Sequence, residues 1–187
     1  MTGSDYRFPA AWSGLDVSLC HDWLTGMRGG ERVLEVLCQG FPRAEIRTLI
    51  HHRAAISETI NRHPITTSWM QHLPGINRYY RRLLPLFPLA IETLPRARGD
   101  WLISTSHCVA KGLRTAPGTR HLCYCFTPMR YAWTFFKEYF GGRPAAALVA
   151  RPLLAALRAW DRRTAARVDH FVAISHHVRR RIETFYQ

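Results

Sequence analysis

The chain has 187 residues, 47% of them apolar and 21% charged, enough for one domain with a buried core. That balance excludes a disordered tail, a disulfide-stapled miniprotein and a collagen-like fibre. The 26 basic against 13 acidic side chains give a formal charge of +13, which favours polyanions or an anionic membrane face as partners. Only Lys111 and Lys137 are lysines, and an arginine skew of this kind also follows from a GC-rich coding sequence, so charge alone assigns no function.

Residues 1–15 show no period and read as a loose leader; residues 16–187 read as one unit. Asp16–His21 is a strand candidate, followed by a loop holding Gly26, Gly29 and Gly30. Glu31–Gln39 reads as a helix with a stripe of Val33, Leu34, Val36 and Leu37, Gly40 at the position past its end and Pro42 blocking its resumption. Glu45–Ile50 and Pro64–Trp69 are strand candidates. Asn77–Leu94 is helical in pattern, but Pro85 and Pro88 predict a kink or a split.

Asp100–Ser104 and His121–Phe126 read as strands, Met129–Phe140 and Leu153–Val168 as helices, and Asp169–Ile174 as a last strand. Ser175 is placed to cap a final helix with Val178, Ile182 and Phe185 on one face. Strands alternating with helices predict an α/β fold, a doubly wound and mostly parallel sheet of six or seven strands covered on both faces. The final helix runs to Tyr186-Gln187 with no following strand, which predicts the first half of a longer architecture. No segment is long and apolar enough to span a bilayer, and no basic region followed by an apolar stretch marks a signal peptide. Five cysteines, an odd number and several of them on strands, suit a reducing cytoplasm.

Three groups of residues carry chemistry. The loop from His21 to Glu31 joins the first strand to the first helix, and its Gly29-Gly30 pair suits either backbone approach to a phosphate or simply a tight turn; its spacing matches neither the dinucleotide fingerprint nor a P-loop. Ser104-Thr105-Ser106-His107-Cys108 lies at the carboxyl end of a strand, where such sheets bind ligands, and reads equally as a polar helix start. Arg78-Tyr79-Tyr80-Arg81-Arg82, followed by Leu83-Leu84-Pro85-Leu86-Phe87, suits an anionic lipid interface or a helix with solvated arginines. His121, Cys123 and Cys125 share one strand face, but this spacing is a poor match to a structural zinc site, and no metal is expected. No nucleic-acid-binding motif accompanies the positive charge, so no nucleic-acid partner is expected.

Several of these motifs, taken in order, resemble the amino-terminal half of family 4 glycosyltransferases: His21-Asp22-Trp23-Leu24, Arg28-Gly29-Gly30-Glu31-Arg32-Val33-Leu34, Ser106-His107-Cys108-Val109-Ala110-Lys111-Gly112, Cys123-Tyr124-Cys125, Thr127-Pro128-Met129-Arg130-Tyr131-Ala132-Trp133 and Val168–Ser175. The resemblance covers about Asp16 to Gln187. It implies one Rossmann-like half of a GT-B architecture, the acceptor-side domain of a retaining enzyme that takes a nucleotide-sugar as co-substrate and needs no metal or other cofactor.

On the same resemblance, Gly29 and Gly30 would bring amides to the donor diphosphate, and His21, Ser106, His107 and Arg130 would line the acceptor side. Arg78, Tyr79, Arg81 and Arg82 would face the cytoplasmic membrane surface, where a lipid-linked or polysaccharide acceptor is glycosylated. Two departures stand out. The donor-side domain with its paired glutamates is absent from these 187 residues, so a separate carboxyl-terminal half is an expected partner. Phe126 stands where related sequences have a histidine beside the reacting sugar, and phenylalanine can neither hydrogen-bond nor exchange a proton. The resemblance therefore implies a chain inactive alone, the alternative being a non-catalytic binding module derived from a half-enzyme.

Overall fold

The computed structural model describes residues 8–12, 14–133 and 144–186. Its centre is a six-stranded, entirely parallel sheet in the order β3-β2-β1-β4-β5-β6, with β1 at Val17–His21, β2 at Glu45–Thr48, β3 at Ile65–Thr67, β4 at Trp101–Ser106, β5 at Arg120–Cys125 and β6 at His170–Ala173. The α/β doubly wound reading of the sequence is therefore correct. Register follows the apolar alternation: Leu19 sits opposite Ile46 on one side and Ile103 on the other, and Ser104 pairs with Cys123, which pairs with Phe171.

Right-handed crossovers decide which face each helix covers. The chain runs from β1 to β3 in one direction, so α1 (Gly29–Gly40) and the short α2 (Glu58–Asn61) lie on one face. There Leu34 and Cys38 of α1 pack with Val17, Leu19 and Ile46, and each fully buried aliphatic side chain contributes about 1.5–3 kcal/mol. From β4 onward the strands progress the other way. The connecting elements, among them α3 (Ile76–Tyr79), α4 (Phe87–Glu92), α5 (Arg130–Trp133) and α6 (Pro144–Ala165), cover the opposite face. Phe87, Ile91, Leu154, Leu157 and Trp160 build the larger core there. The closing helix α7 (His176–Phe185) adds Val178 over Cys123 and Cys125.

The expectation of a sheet covered on both faces holds only in part. Val172 and Ile174, next to Tyr124, are 40% and 49% exposed, because no crossover among the described residues passes over β5 and β6 on the α1 face. Near-continuous apolar character in β6 therefore does not report double burial.

Several boundaries also shift. Gly40 is the last residue of α1, and the Phe41 amide closes the helix onto the Leu37 carbonyl. Asn77–Leu94 resolves into α3, a 3-10 stretch over Tyr80–Leu86 and α4, the break falling at the prolines as their missing N–H requires. The Met129–Phe140 helix is seen as α5 over Arg130–Trp133, and its remainder lies outside the described residues. The helix expected at Leu153–Val168 begins earlier, at Pro144, and ends at Ala165. Ser175 caps α7, its hydroxyl accepting the Val178 amide. In the leader, Ala10–Trp12 forms a 3-10 turn whose Trp12 stacks on Phe41 at 5.3 Å. Gly99, at φ +95°, lies so close to Asp16 that a Cβ would come within 2.7 Å of its backbone oxygen, so only glycine fits between β1 and β4 at their start.

All five cysteines are buried and carry no disulfide. No group of histidine, cysteine, aspartate and glutamate among the described residues could hold a metal ion. No helix among them is long and apolar enough to cross a membrane.

Candidate functional site

Between β1 and β4 the winding reverses, and in such sheets the crevice at the carboxyl ends of the strands is the natural ligand site. A cleft of about 600 Å³ opens there, with His21, Gly29, Gly30, His107 and Phe126 among its lining residues. A second cavity of about 620 Å³ under Trp12, beside Arg43 and Asp16, lies at the end of α1 away from these strand termini.

Asp22, the residue after β1, organises the cleft. Its carboxylate is fully buried and accepts four backbone amides from the segment after β4: His107 at 2.7 Å and Cys108 at 3.1 Å on Oδ2, Val109 at 2.6 Å and Ala110 at 2.7 Å on Oδ1. His107 Nδ1 adds a fifth contact at 2.9 Å to Oδ2. One side chain thereby joins the ends of the two central strands and sets the conformation of the loop that carries His107. Burial by itself would raise the Asp22 carboxyl, but the charge and hydrogen bonds of His107 override it and hold the group well below the usual carboxylate range.

For His107, burial pushes down while the Asp22 charge and hydrogen bond push up, and the net direction is upward, with Arg130 opposing. With Nδ1 donating to Asp22, Nε2 is left for a cleft ligand. A carboxylate-oriented imidazole of this kind can act as a charged hydrogen-bond donor or exchange a proton.

The glycine turn is open to the cleft. The Arg28 amide is satisfied by the Glu31 carboxylate at 3.1 Å, which leaves the first-turn amides of Gly29 and Gly30 at the positive end of α1, where an anion is favoured. The two glycines differ. A Cβ on Gly29 would meet open space, whereas one on Gly30 would approach His21 Cε1 to 3.2 Å and Phe126 Cε2 to 3.3 Å. Gly30 is thus the point at which α1 closes onto the sheet.

The residues singled out in sequence are placed as follows. His21 is buried at the cleft floor with Nδ1 against the Thr105 hydroxyl at 2.7 Å, and burial lowers its pKa to about 4, so it is neutral at pH 7. Phe126 presents its ring to the cleft and meets Tyr124 edge-on at 5.6 Å. Ser106 is buried and does not line the cleft; its carbonyl accepts the Phe126 amide. Arg130, at the start of α5, lines it.

Of the basic segment, Arg78 and Arg82 are exposed, Tyr79 is half-buried with its hydroxyl donating to the Pro74 carbonyl, and Arg81 lines the cleft. Leu86 and Leu89, the latter 56% exposed, follow on the same stretch. Sequence reading missed Trp23, Arg28 and Arg81 as cleft-lining residues and Asp22 as the buried carboxylate that orients His107. The available signal for Asp22 was an acidic side chain directly after one strand, with a histidine directly after another. Comparison of the chain with family models, curated proteins and solved structures finds no match.

Proposed function

We propose that this chain is the acceptor-side domain of a nucleotide-sugar-dependent, retaining glycosyltransferase. In this reading it acts on a lipid-linked or polysaccharide acceptor at the cytoplasmic face of a membrane. The observation that carries it is the open Gly29-Gly30 turn at the winding reversal, facing Asp22-oriented His107 across one cleft. The motif resemblance to family 4 glycosyltransferases supports it, as does the exposed pairing of Arg78 and Arg82 with Leu86 and Leu89.

Glycosyl transfer develops positive charge on the sugar while a nucleoside diphosphate leaves, and it needs preorganised donors on both sides of a water-excluding cleft. The described domain supplies one wall of such a cleft, so these 187 residues by themselves are expected to bind acceptor weakly and transfer nothing. A donor-side domain is the required partner, and no metal or cofactor takes part. Radiolabelled sugar transfer by the chain above a no-protein control would contradict this. A binding test locates the site: a short-chain lipid diphosphate sugar added to isotope-labelled chain is expected to shift the backbone resonances of Gly29, Gly30, His107 and Phe126. Absence of shifts there, or shifts confined to other faces, sinks the reading. The alternative, a binding module without catalysis, is favoured by Phe126, whose ring packs on Gly30 and offers no proton.

A further inference from the structure

Arg81 is exposed like Arg78 and Arg82, and it also borders the cleft. A series of ring contacts sets its place. Its guanidinium lies 5.3 Å over the Tyr80 ring. Tyr80 is buried and meets Trp23 edge-on at 5.4 Å, and Trp23 meets the His107 ring edge-on at 4.6 Å. Tyr80 is further anchored by its hydroxyl on Thr25 at 3.1 Å.

Arg81 and His107 are therefore held through one packed aromatic series, and Arg28 and Arg130 line the same cleft. The one carboxylate among its described lining residues is Glu31, which is buried and turned onto the Arg28 amide. Arg28, Arg81 and the Asp22-oriented imidazole of His107 border one concavity, and such a set of donors suits an anion with several acceptor oxygens.

We propose that Arg81 and His107, with Arg28 and Arg130 beside them, form a subsite for the phosphate or diphosphate ester of the ligand, next to the glycine turn. This deepens the acceptor reading and rests on it only for what carries the phosphate. The guanidinium fork suits two phosphate oxygens at once, and His107 donates from Nε2. The charged and titratable groups facing His107 are Asp22, Glu31, Arg130 and His21. An anion bound at Nε2 stabilises the imidazolium, so its titration moves upward on binding.

The test is calorimetric titration of the full chain with inorganic pyrophosphate at pH 7. Binding is expected, about tenfold weaker in Arg81→Gln and unchanged in Arg82→Ala, with backbone spectra confirming that each variant is folded. Saturating pyrophosphate is expected to raise the titration midpoint of the His107 ring in the parent chain. A lipid surface as the source of the anion is separated by flotation with phosphatidylcholine–phosphatidylglycerol vesicles, where Arg82→Ala is expected to weaken binding and Arg81→Gln to leave it intact.

No binding of pyrophosphate, equal binding by Arg81→Gln, or a loss in Arg81→Gln confined to vesicles overturns the subsite. Failure here is distinguishable from failure of the acceptor reading. A lipid diphosphate sugar that leaves the cleft resonances unmoved while pyrophosphate binds through Arg81 upholds the subsite and removes the acceptor. A sugar that shifts them without pyrophosphate binding does the reverse.

Discussion

Two aspartates, Asp22 and Asp161, are 0% exposed in this chain and are stabilised in opposite ways. Asp161 is matched by a full cation: Lys111 Nζ lies 2.6 Å from Oδ1 and is itself buried, donating also to the Asp161 carbonyl and the Thr164 hydroxyl. Trp133 Nε1 donates to the remaining oxygen at 2.7 Å. Asp22 has no lysine or arginine partner among the described residues; four backbone amides and an imidazole solvate it. The Lys111–Asp161 pair ties α6 to the turn after β4 and is sealed. The Asp22 centre does similar tying between β1 and β4 but ends in a ring at the cleft. Backbone solvation is what allows a buried charge to be shared with a ligand site, because amides cannot leave and His107 can still turn Nε2 outward.

Breaking the sealed pair gives the largest effect. Lys111→Met is expected to cost about 3–5 kcal/mol, since it leaves Asp161 charged and buried; a urea denaturation midpoint measures it. Adding Asp161→Leu is expected to recover much of the loss. An unchanged midpoint in the single variant would show that the pair is not sealed.

Acid is the next lever, and it acts on neither aspartate at first. Burial depresses the pKa of both His21 and His121 to about 4. The unfolded chain takes up their protons as pH falls through about 6.5, whereas the folded chain does so only near the depressed values. Stability therefore falls between those limits, by about 3 kcal/mol for each histidine when complete. His107 has the opposite sign: its raised pKa adds stability that is present below about 6.5 and is lost as pH rises through the folded value. Asp22, held low, contributes above the unfolded carboxylate range and loses its contribution only at stronger acid. Urea midpoints at neutral pH and near pH 4 test the sum, and a flat profile would contradict the burial of His21 and His121.

Asp22→Asn sharpens the comparison directly. The loss of charge and of the oxygen that accepts two of the four amides is expected to cost about 1–3 kcal/mol or more and to return the His107 titration towards its ordinary range, which histidine ring resonances report. The same change in pyrophosphate affinity would follow, as the imidazolium is then less populated. Smallest of all is the contrast between the glycines. Gly30→Ala is expected to cost about 1–3 kcal/mol by overpacking against His21 and Phe126, and Gly29→Ala to stay within about 0.5 kcal/mol. Thermal midpoints compare the two.

Much of the architecture was legible because it depends on local signals. Short apolar runs bounded by turn residues marked all six strands, the prolines at 85 and 88 marked the break between α3 and α4, and Ser175 marked the start of α7. Gly29, Gly30 and His107 were legible from their places after a strand or at a helix start, Arg130 and Phe126 only through the motif resemblance, and all five line the cleft. Ser106, named through the motif resemblance, lies buried below the cleft, a depth that no local sequence pattern encodes. Arg81 was grouped with Arg78 and Arg82 because the segment reads as one basic run; all three are exposed, and Arg81 also borders the cleft, which no local pattern announces.

The amino-acid order alone determined that this chain winds into a parallel α/β sheet and that Ser175 opens its last helix, since those outcomes follow from periodicity and capping within a few residues. Tertiary structure alone decided that Asp22 reaches residues 85 to 88 positions away, that Arg81 stands at the cleft beside the Tyr80–Trp23–His107 series, and that Val172 and Ile174 stay exposed at the β6 edge. These depend on crossover handedness and long-range burial, which bring together groups that no window of sequence contains.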